Sequence, residues 1–402
     1  MDSLTLDKVY HAAYVLKSVA RKTDLIHAAG LCPDCDLYLK TENLQVTGSF
    51  KVRGAYYKIS QLTEEEKSKG VIASSAGNHA QGVALAAKEN GIPCVICMPD
   101  GAPISKVEAT KAYGAKVCLV KGAYDDAYDY ACELQEKEGY TFIHPFNDPE
   151  VIAGQGTIGL EILDQLSDVE VVLVPVGGGG LISGVAYAIK KLHPECRVYG
   201  VQAAGSASME QSLKQHEPIT LDTAATFADG IAVKHPGDLT FELVSKYVDG
   251  VVTVTDDETA CAILALMEKQ KLVTEGAGAV AVAAAMFGKV DIRGKKTVCL
   301  LSGGNIDVNI LSRVISRGLT IAGRNSTLTL QLEDKPGQLT DVSEIISRNG
   351  GNVVRVHYNQ ADPNLAITSC YLTLSIETRD GEQVEKIKKD LAASGFQLVS
   401  HT

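Results

Sequence analysis

Short β-branched runs alternate with helical patterns from about position 36 to 320, and this alternation constrains the fold more than any other feature. Strands are predicted at DLYLK, GVIASS, PCVICMP, AKVCLV, VEVVLVPV, RVYGVQ, GVVTVT and KKTVCLLS, with helices such as HAQGVALAAKENG between them. Alternating strands and helices predict an α/β fold of open, mostly parallel sheets with helices on both faces. Such sheets bind ligands at the carboxyl ends of their strands, so we expect the functional residues in the loops there.

The pattern changes near SRGLTIAGRNST, which separates a second domain from the first. From about Thr327 the order is strand, helix, strand, strand, helix, strand, in TLTLQL, QLTDVSEIISRNG, GNVVRVHY, AITSCYLTLSI, GEQVEKIKKDLAASG and FQLVS. This order predicts a ferredoxin-like βαββαβ domain over 327–402. The expected organisation is therefore a first domain over 1–320, a linker over 321–326 and the second domain.

Composition excludes several classes of function. The net charge of -11 argues against nucleic acid as a partner, because phosphates need basic surfaces. The start of the chain has no signal-peptide core, and the longest apolar stretch, AGAVAVAAAMF, is too short to span a bilayer. We therefore expect a soluble, cytoplasmic protein without a membrane partner, whose ten cysteines are free thiols.

Two Cys-x-x-Cys pairs could suggest zinc, but neither supports a site. Cys94 and Cys97 lie in a predicted strand, where residues three apart point to opposite faces. Cys32 and Cys35 have the right spacing but no companion pair. We predict no metal.

The loop VPVGGGGLISG follows a predicted buried strand and opens a helix. Gly177, Gly178, Gly179 and Gly180 leave backbone N–H groups bare, and the helix start behind them favours an anion such as phosphate. A dinucleotide fingerprint would need a third glycine where Ile182 or Ser183 stands, and the Walker pattern is absent too. A tight turn alone rarely needs four glycines, so we predict a phosphate site.

Two further loops carry donors. In SSAGNHAQG, the backbone from Ser74 onward could hold a carboxylate, and the Asn78 amide could serve a hydroxyl or phenolate oxygen. In CLLSGGN, Ser302 closes an apolar strand, where a buried hydroxyl needs a partner. Helix capping and a bond to nearby backbone would explain the same residues without a ligand.

Lys51, in TGSFKVRGA, is the candidate reactive group. With Thr47 or Ser49 as the predicted N-cap, Lys51 would lie in the first turn of a helix, whose dipole opposes an ammonium ion. Flanking Phe50 and Val52 add desolvation, and both effects favour the neutral amine that forms Schiff bases. A phosphate, an aldehyde for a lysine, a phenolic oxygen and a ring nitrogen occur together in pyridoxal 5'-phosphate (PLP).

The motifs TGSFKVRGA, SSAGNHAQG, VGGGGL, TEGAGA and LSGGN occur in the order found in threonine ammonia-lyases. The chain resembles these PLP enzymes of the tryptophan-synthase-β type (fold type II) over about 5–320. The resemblance implies a smaller subdomain, at about 52–145, inserted in a larger one. The tail, with LEDKPGQL entering its first helix, resembles an ACT domain, a module that senses small ligands.

The resemblance also implies residue roles. Lys51 would bind PLP covalently and later act as base at the substrate Cα, while Phe50 would pack against the cofactor ring. Asn78 would bond the phenolic oxygen and Ser302 the ring nitrogen. The phosphate would be held by Gly177, Gly178, Gly179, Gly180 and Leu181, and the substrate carboxylate by the backbone of Ser75, Ala76, Gly77, Asn78 and His79.

The implied reaction is β-elimination of water from L-threonine, which gives 2-oxobutanoate and ammonia and leads towards isoleucine. A serine ammonia-lyase or serine racemase on the same fold is the rival hypothesis, and a non-catalytic amino-acid sensor is an alternative of another class. Similar racemases carry a serine, as a second base, where this chain has Ala76. The resemblance also implies that such racemases bind a divalent metal through carboxylates, at positions that correspond to Gln202 and Ser208 here.

The predicted ACT domain suggests regulation. Pro336, Gly337, Gln338 and Leu339 form the predicted turn into its first helix, where free N–H groups would suit an amino-acid carboxylate. The resemblance implies isoleucine, or valine, as effector. The exposed sheet edges of so small a domain suggest pairing with a second copy, in a homodimer or homotetramer.

Overall fold

The computed structural model describes residues 4–28, 30–363 and 365–399. The outer ends of the two predicted domains, 1–3 and 400–402, lie outside the described residues. The chain divides into two compact units between Ile310 and Leu311. Each has its own sheets and its own buried core.

The larger sheet of the first unit has six strands in the order β1-β2-β10-β7-β8-β9. All neighbours are parallel except β1, which pairs antiparallel with β2. The sequence analysis missed β1, which has only three residues. The strands are β1 Leu25–His27, β2 Asp36–Lys40, β7 Val171–Pro175, β8 Arg197–Ala203, β9 Gly250–Val254 and β10 Lys296–Leu300.

The smaller sheet of the first unit has four parallel strands in the order β5-β4-β3-β6. They are β3 Val71–Ser74, β4 Cys94–Pro99, β5 Lys116–Val120 and β6 Thr141–Phe142. The predicted α/β fold with mostly parallel sheets is confirmed, although the sequence analysis also missed the two-residue strand β6. The central strands read as unbroken apolar runs because helices cover both faces, so every residue of β7 is buried.

Thirteen helices accompany these sheets within the described residues, and the last of them, α13, crosses the division between the units. None of the described helices is long and apolar enough to cross a membrane. They are α1 Leu6–Val15, α2 Lys51–Ser60, α3 Glu64–Lys69, α4 Asn78–Glu89, α5 Ile104–Ala112, α6 Tyr124–Glu138, α7 Pro149–Gln165, α8 Gly180–Leu192, α9 Ser208–Gln215, α10 Asp238–Tyr247, α11 Asp256–Ala265, α12 Gly276–Met286 and α13 Val308–Ile321.

The second unit has the predicted order of elements, with an antiparallel sheet arranged β12-β13-β11-β14. Its elements are β11 Asn325–Glu333, α14 Gln338–Arg348, β12 Asn352–Asn359, β13 Ser369–Glu377, α15 Gly381–Ala393 and β14 Gln397–Leu398. Alternate residues of β13 are buried, as expected for a sheet covered by helices on one face. The strand predicted from Ala366 begins at Ser369, because a turn joins the Ser369 N–H to the Ala366 carbonyl.

The predicted effector turn lies between β11 and α14 of this unit. Gly337 caps α14 with φ of +95°, a left-handed conformation that glycine adopts most readily. Gln338 is the first helical residue, and Pro336 precedes the cap. Leu339 is 41% exposed.

Candidate active site

Lys51 is the first residue of α2, and Phe50 occupies the cap position. The prediction that Thr47 or Ser49 caps this helix is wrong, because the Thr47 hydroxyl donates to the Ser49 carbonyl (3.3 Å) instead. The Ser49 Oγ is buried without a hydrogen-bond partner among the described residues. The start of the helix therefore lacks a side-chain cap.

The Lys51 side chain is half-buried, and its ammonium lies beside the aromatic ring of its neighbour. Its Nζ donates to the Pro145 carbonyl at 2.9 Å and lies 5.4 Å from the centre of the Phe50 ring. Burial lowers the pKa of Lys51 to about 8, although the carboxyl of Glu275 acts in the opposite direction. A substantial fraction of this amine is therefore neutral near physiological pH, as a Schiff-base lysine requires.

Helix α2 is anchored by a buried cluster of charges directly after Lys51. The Arg53 guanidinium is 1% exposed and binds the carboxylates of Glu42 (2.8 Å) and Glu161 (2.7 Å). Lys40 completes the cluster with a 2.6 Å bond to Glu161. This cluster fixes the helix, and hence Lys51, relative to β2 and α7. The sequence analysis missed it, because nothing local distinguishes these charges from surface ones.

The four glycines connect β7 to the start of α8, and two of them, Gly178 and Gly180, lie against Phe146. A Cβ on Gly178 would lie 2.5 Å from the Phe146 ring, and one on Gly180 would lie 2.8 Å from the Phe146 Cα. Gly179 has φ of +96°. Because Phe146 directly follows the Pro145 that Lys51 binds, the glycine loop lies close to the amine. The Leu181 side chain belongs to the core, so only its backbone is available to a ligand.

The loop from Ser75 to His79 connects β3 to α4, which begins at Asn78. The Gly77 N–H donates to the Ser75 hydroxyl at 3.2 Å. The His79 ring bonds the Ile143 carbonyl at 2.7 Å, and burial lowers its pKa to about 3. The neutral ring of His79 is thus committed to the protein, which leaves the backbone of this loop for a ligand.

Asn78 joins a network that includes a carboxylate the sequence analysis did not single out. Its Nδ2 donates to Glu275 Oε1 at 2.6 Å, and its Oδ1 accepts from Asn305 Nδ2 at 2.8 Å. Glu275 is 4% exposed and comes directly before α12. Burial, and next the charge of Asp229, raise the pKa of Glu275 to about 7. The motif TEGAGA contained this residue, but its only local signal was an acid before a Gly/Ala helix.

Ser302 follows β10 and is 2% exposed. Its Oγ donates to the Ala277 carbonyl at 3.2 Å, and its own carbonyl accepts from the Phe50 N–H at 3.2 Å. The second contact places Ser302 beside the residue that precedes Lys51. The hydroxyl is also able to accept a bond.

A pocket of about 270 Å³ opens beside Glu275. An ion pair between Lys106 of α5 and Asp229 lies on its wall, with 2.5 Å between Nζ and Oδ2. The other lining residues are Pro103, Phe227, Glu275, Gly276, Asn305, Ile306, Asp307 and Ile310. The pocket therefore has an apolar side and a charged side, within reach of small polar molecules.

Gln202 and Ser208 are the residues that the sequence analysis compared with metal-binding carboxylates of racemases. The Gln202 amide bonds the Ser206 carbonyl and the Glu210 N–H, and the Ser208 hydroxyl donates to the Val233 carbonyl. Both side chains are thus used within the protein.

These residues fit PLP. Side chains at Gly178 or Gly180 would clash with Phe146, so the glycine loop offers bare backbone to a ligand. Lys51 has a lowered pKa, and the Asn78 amide is oriented by its hydrogen bond from Asn305. The hydroxyls of Ser49, Ser74 and Thr274 are buried without partners in the described part of the chain, and each lies close in sequence to a site residue. Unsatisfied buried hydroxyls are uncommon, and a polar ligand bound among these residues would offer them a partner.

Known proteins with similar sequences and structures agree with this fit. The family described as "Pyridoxal-phosphate dependent enzyme" matches residues 16–303. An L-threonine ammonia-lyase of Thermotoga maritima is 51% identical over 98% of this chain and 99% of its own length. The catabolic L-threonine dehydratase TdcB of Escherichia coli K12 is 47% identical over 77% of this chain and 96% of its own.

A solved structure of maize serine racemase is also similar. It superposes with a TM-score of 0.74 at 35% identity and covers 79% of this chain and 99% of its own.

Proposed function

The chain belongs to the family of pyridoxal-phosphate-dependent enzymes, and on that premise we propose that it deaminates L-threonine to 2-oxobutanoate and ammonia. The observation that carries the proposal is the Lys51 amine, with its lowered pKa, bonded to the Pro145 carbonyl next to the Phe146 against which Gly178 and Gly180 pack. Family membership leaves no ground for the alternative of a non-catalytic amino-acid sensor.

When bound, PLP supplies an electron sink that stabilises negative charge at the substrate Cα. Lys51 would hold the cofactor and, as a free amine, would take the substrate Cα proton on its Nζ. The backbone N–H groups of Gly177–Gly180, at the start of α8, hold the phosphate. The backbone of 75–79 holds the substrate carboxylate and orients the Cα–H bond towards Lys51.

Ser302 supports elimination over other outcomes. A hydroxyl beside the ring nitrogen does not enforce its protonation, whereas an acidic partner would. Charge at Cα is then less dispersed, which favours rapid loss of the β-hydroxyl. The released enamine takes up water and yields 2-oxobutanoate and ammonia, so that the atoms of threonine are fully accounted for.

Serine deamination or racemisation remains the second candidate, because the maize serine racemase covers the same part of the chain. A racemase needs a base on each face of the substrate, and Ala76 cannot provide the second one. We therefore favour the lyase.

The test compares threonine and serine as substrates of the PLP-loaded enzyme, with Lys51→Ala as the negative control. We expect 2-oxo acid from threonine at a higher kcat/KM than from serine, and no D-serine in a chiral assay. D-serine as the main product, or no 2-oxo acid from threonine, would refute the proposal.

We further infer that the second unit is an ACT-type regulatory domain that binds isoleucine or valine at the turn formed by Pro336, Gly337, Gln338 and Leu339. The βαββαβ order and the sheet order β12-β13-β11-β14 support this inference. The Thermotoga relative matches almost the whole chain, whereas the shorter catabolic relative matches only 77% of it. This difference favours a regulated, biosynthetic role.

Pairing of these units would make the enzyme a homodimer or homotetramer. Strand β12 is at one edge of the sheet and exposes Val354, Val356 and Tyr358. Such an edge favours pairing with a second copy.

Isoleucine titration tests the regulatory assignment. We expect isoleucine to inhibit the full-length enzyme but not a chain ending at Ala322. Gly337→Ala strains a residue with φ of +95° and should weaken the response several-fold. Gly381→Ala is the matched control, because it adds a methyl group in open space at the start of α15. An equal response in the truncated chain would refute the assignment.

A further inference from the structure

Glu275 has no role in the function proposed above, yet it is the most deeply buried carboxyl next to the proposed cofactor site. It lies 4% exposed between the Asn78 amide and Gly303. A Cβ on Gly303 would lie 2.5 Å from Glu275 Oε1, so the glycine leaves the space that this oxygen fills. A buried carboxyl held so tightly calls for an explanation.

The hydrogen-bond network fixes which end of the Asn78 amide faces Glu275. Asn305 Nδ2 donates to the Thr47 carbonyl at 2.8 Å, and a carbonyl can only accept. The second hydrogen of that nitrogen goes to Asn78 Oδ1 at 2.8 Å, which identifies the other end of Asn78 as its NH₂ group. Glu275 Oε1 accepts one hydrogen of this group at 2.6 Å. The second hydrogen is left for a ligand.

Four charged groups interact within this array. Glu275 faces Asp229, whose charge repels it, and the ammonium groups of Lys106 and Lys51, which attract it. Lys106 and Asp229 are themselves paired at 2.5 Å. Lys51 and Glu275 are both held to the same segment, because the Phe50 N–H donates to the Ser302 carbonyl at 3.2 Å and the Glu275 N–H donates to the Gly303 carbonyl at 3.1 Å. Within this arrangement the carboxylate of Glu275 also favours the charged form of Lys51.

We propose that Glu275 is a positioning residue of the cofactor site, which aims the free Asn78 N–H at the phenolic oxygen of PLP and controls by its charge how readily Lys51 releases its proton. This inference rests on the proposed function, since it assumes that PLP binds at Lys51 and Asn78. The hydrogen bond provides the first role and the carboxylate charge the second. Substitutions can separate the two.

The charge is tested by the pH dependence of PLP uptake. The apoenzyme is mixed with PLP, and the rate at which the visible absorbance of bound cofactor appears is measured at pH values from about two units below the Lys51 transition to about two units above it. Uptake requires the neutral amine, so the rate should rise through the Lys51 transition, at about 8 in the parent chain. Glu275→Gln keeps the size and the acceptor but removes the charge, and the midpoint should fall by about one pH unit.

A matched control removes an equal charge elsewhere. Glu64 is 90% exposed on the surface of α3, and Glu64→Gln should leave the midpoint unchanged. An unchanged midpoint in folded Glu275→Gln overturns the charge role. Failure of the parent chain to take up PLP at all would instead overturn the proposed function, so the two failures are distinguishable.

Asp229→Asn provides a second route if Glu275→Gln fails to fold. Asp229 is 61% exposed, and its removal takes away a repulsive neighbour of Glu275. Glu275 then stays ionised to lower pH, so proton uptake by this carboxyl during an acid titration of the apoenzyme should shift downward. The proton inventory of PLP binding, measured in buffers of different ionisation enthalpy, reports this shift. An inventory identical to that of the parent at every pH overturns the charge role.

The hydrogen bond is tested by PLP affinity at one pH. Glu275→Ala removes the acceptor and should raise the Kd for PLP by about tenfold, whereas Glu275→Gln retains an amide oxygen and should raise it far less. In the background of Asn78→Ala, the effect of Glu275→Ala should vanish, because the residue acts through Asn78. Full additivity of the two losses would refute the positioning role.

Discussion

A methyl group added at Gly180 is expected to weaken the enzyme's hold on PLP through a backbone clash. The Cβ of Gly180→Ala would lie 2.8 Å from the Phe146 Cα and 2.9 Å from its carbonyl oxygen. Carbon atoms pack best at about 3.5 to 4.0 Å, so loop and backbone must separate by about 0.7 Å. No rotamer change relieves a contact with backbone atoms.

Forcing one methyl group into a packed site costs about 1–3 kcal/mol. If the glycine loop relaxes to another conformation in the apoenzyme, PLP binding must restore the parental conformation. The whole cost then appears as a Kd for PLP about 5- to 150-fold higher. If the loop is rigid, the same cost appears as a lower free energy of unfolding of the apoenzyme. The sum of the two losses is the predicted quantity.

The assay therefore combines a PLP titration, followed by visible absorbance, with urea unfolding of the apoenzyme. Gly178→Ala is the informative companion, since its Cβ would lie 2.5 Å from the Phe146 ring, a side chain that can be removed. We expect Phe146→Ala to restore most of the PLP affinity and stability that Gly178→Ala loses, but only part of what Gly180→Ala loses. Gly101→Ala adds a methyl group in open space and serves as the control. A Gly180→Ala enzyme with parental Kd and parental stability would refute the steric reasoning.

Three further predictions follow from the site. Lys51→Ala should lose the visible absorbance of bound PLP and all lyase turnover; a borohydride-stable adduct found by mass spectrometry on another lysine would show that Lys51 is not the attachment site. Ala76→Ser should add some D-serine formation in a chiral assay by supplying a second base, and a PLP-loaded variant at the parental background would count against this idea. Arg53→Leu leaves the buried Glu42 without its partner and should reduce the free energy of unfolding in urea by about 3–5 kcal/mol. The exposed pair that Lys69 forms with Glu65 should contribute far less when Lys69→Met is measured the same way, and equal losses would contradict the burial argument.

Local patterns were sufficient to predict the longer strands of the sheets and the loops that follow them. The strand VVLVP could be predicted because a strand buried on both faces is apolar throughout. The glycine loop could be predicted because four consecutive glycines are rare outside sites that need bare backbone. The three-residue strand β1 left too short a trace. The residue that caps α2 could not be predicted, because Thr47 turns its hydroxyl back onto its own loop.

Long-range contacts explain what the sequence could not reveal. The role of Glu275 could not be predicted locally, because Asn78, which donates a hydrogen bond to it, lies 197 positions away in the sequence. Arg53 and Glu42 resemble ordinary surface charges until β2, α2 and α7 come together around them. The roles assigned to Lys51, Asn78 and Ser302 stay predictions until the cofactor experiments are done.

The hydrogen bonds that join the site have a consequence for how the chain folds. Asn78 and Glu275 are 197 positions apart, and Asn305 reaches back across 258 positions to Thr47. Such distant contacts form slowly, because closing the long intervening loop loses chain entropy before the contacts can stabilise the structure. A growing chain on the ribosome cannot complete the hydrogen-bond network around Asn78 until Asn305 has emerged. PLP binding is thus expected to be a late step in the folding of the chain. Adding PLP during refolding should raise the final yield of folded enzyme more than it raises the rate of early collapse.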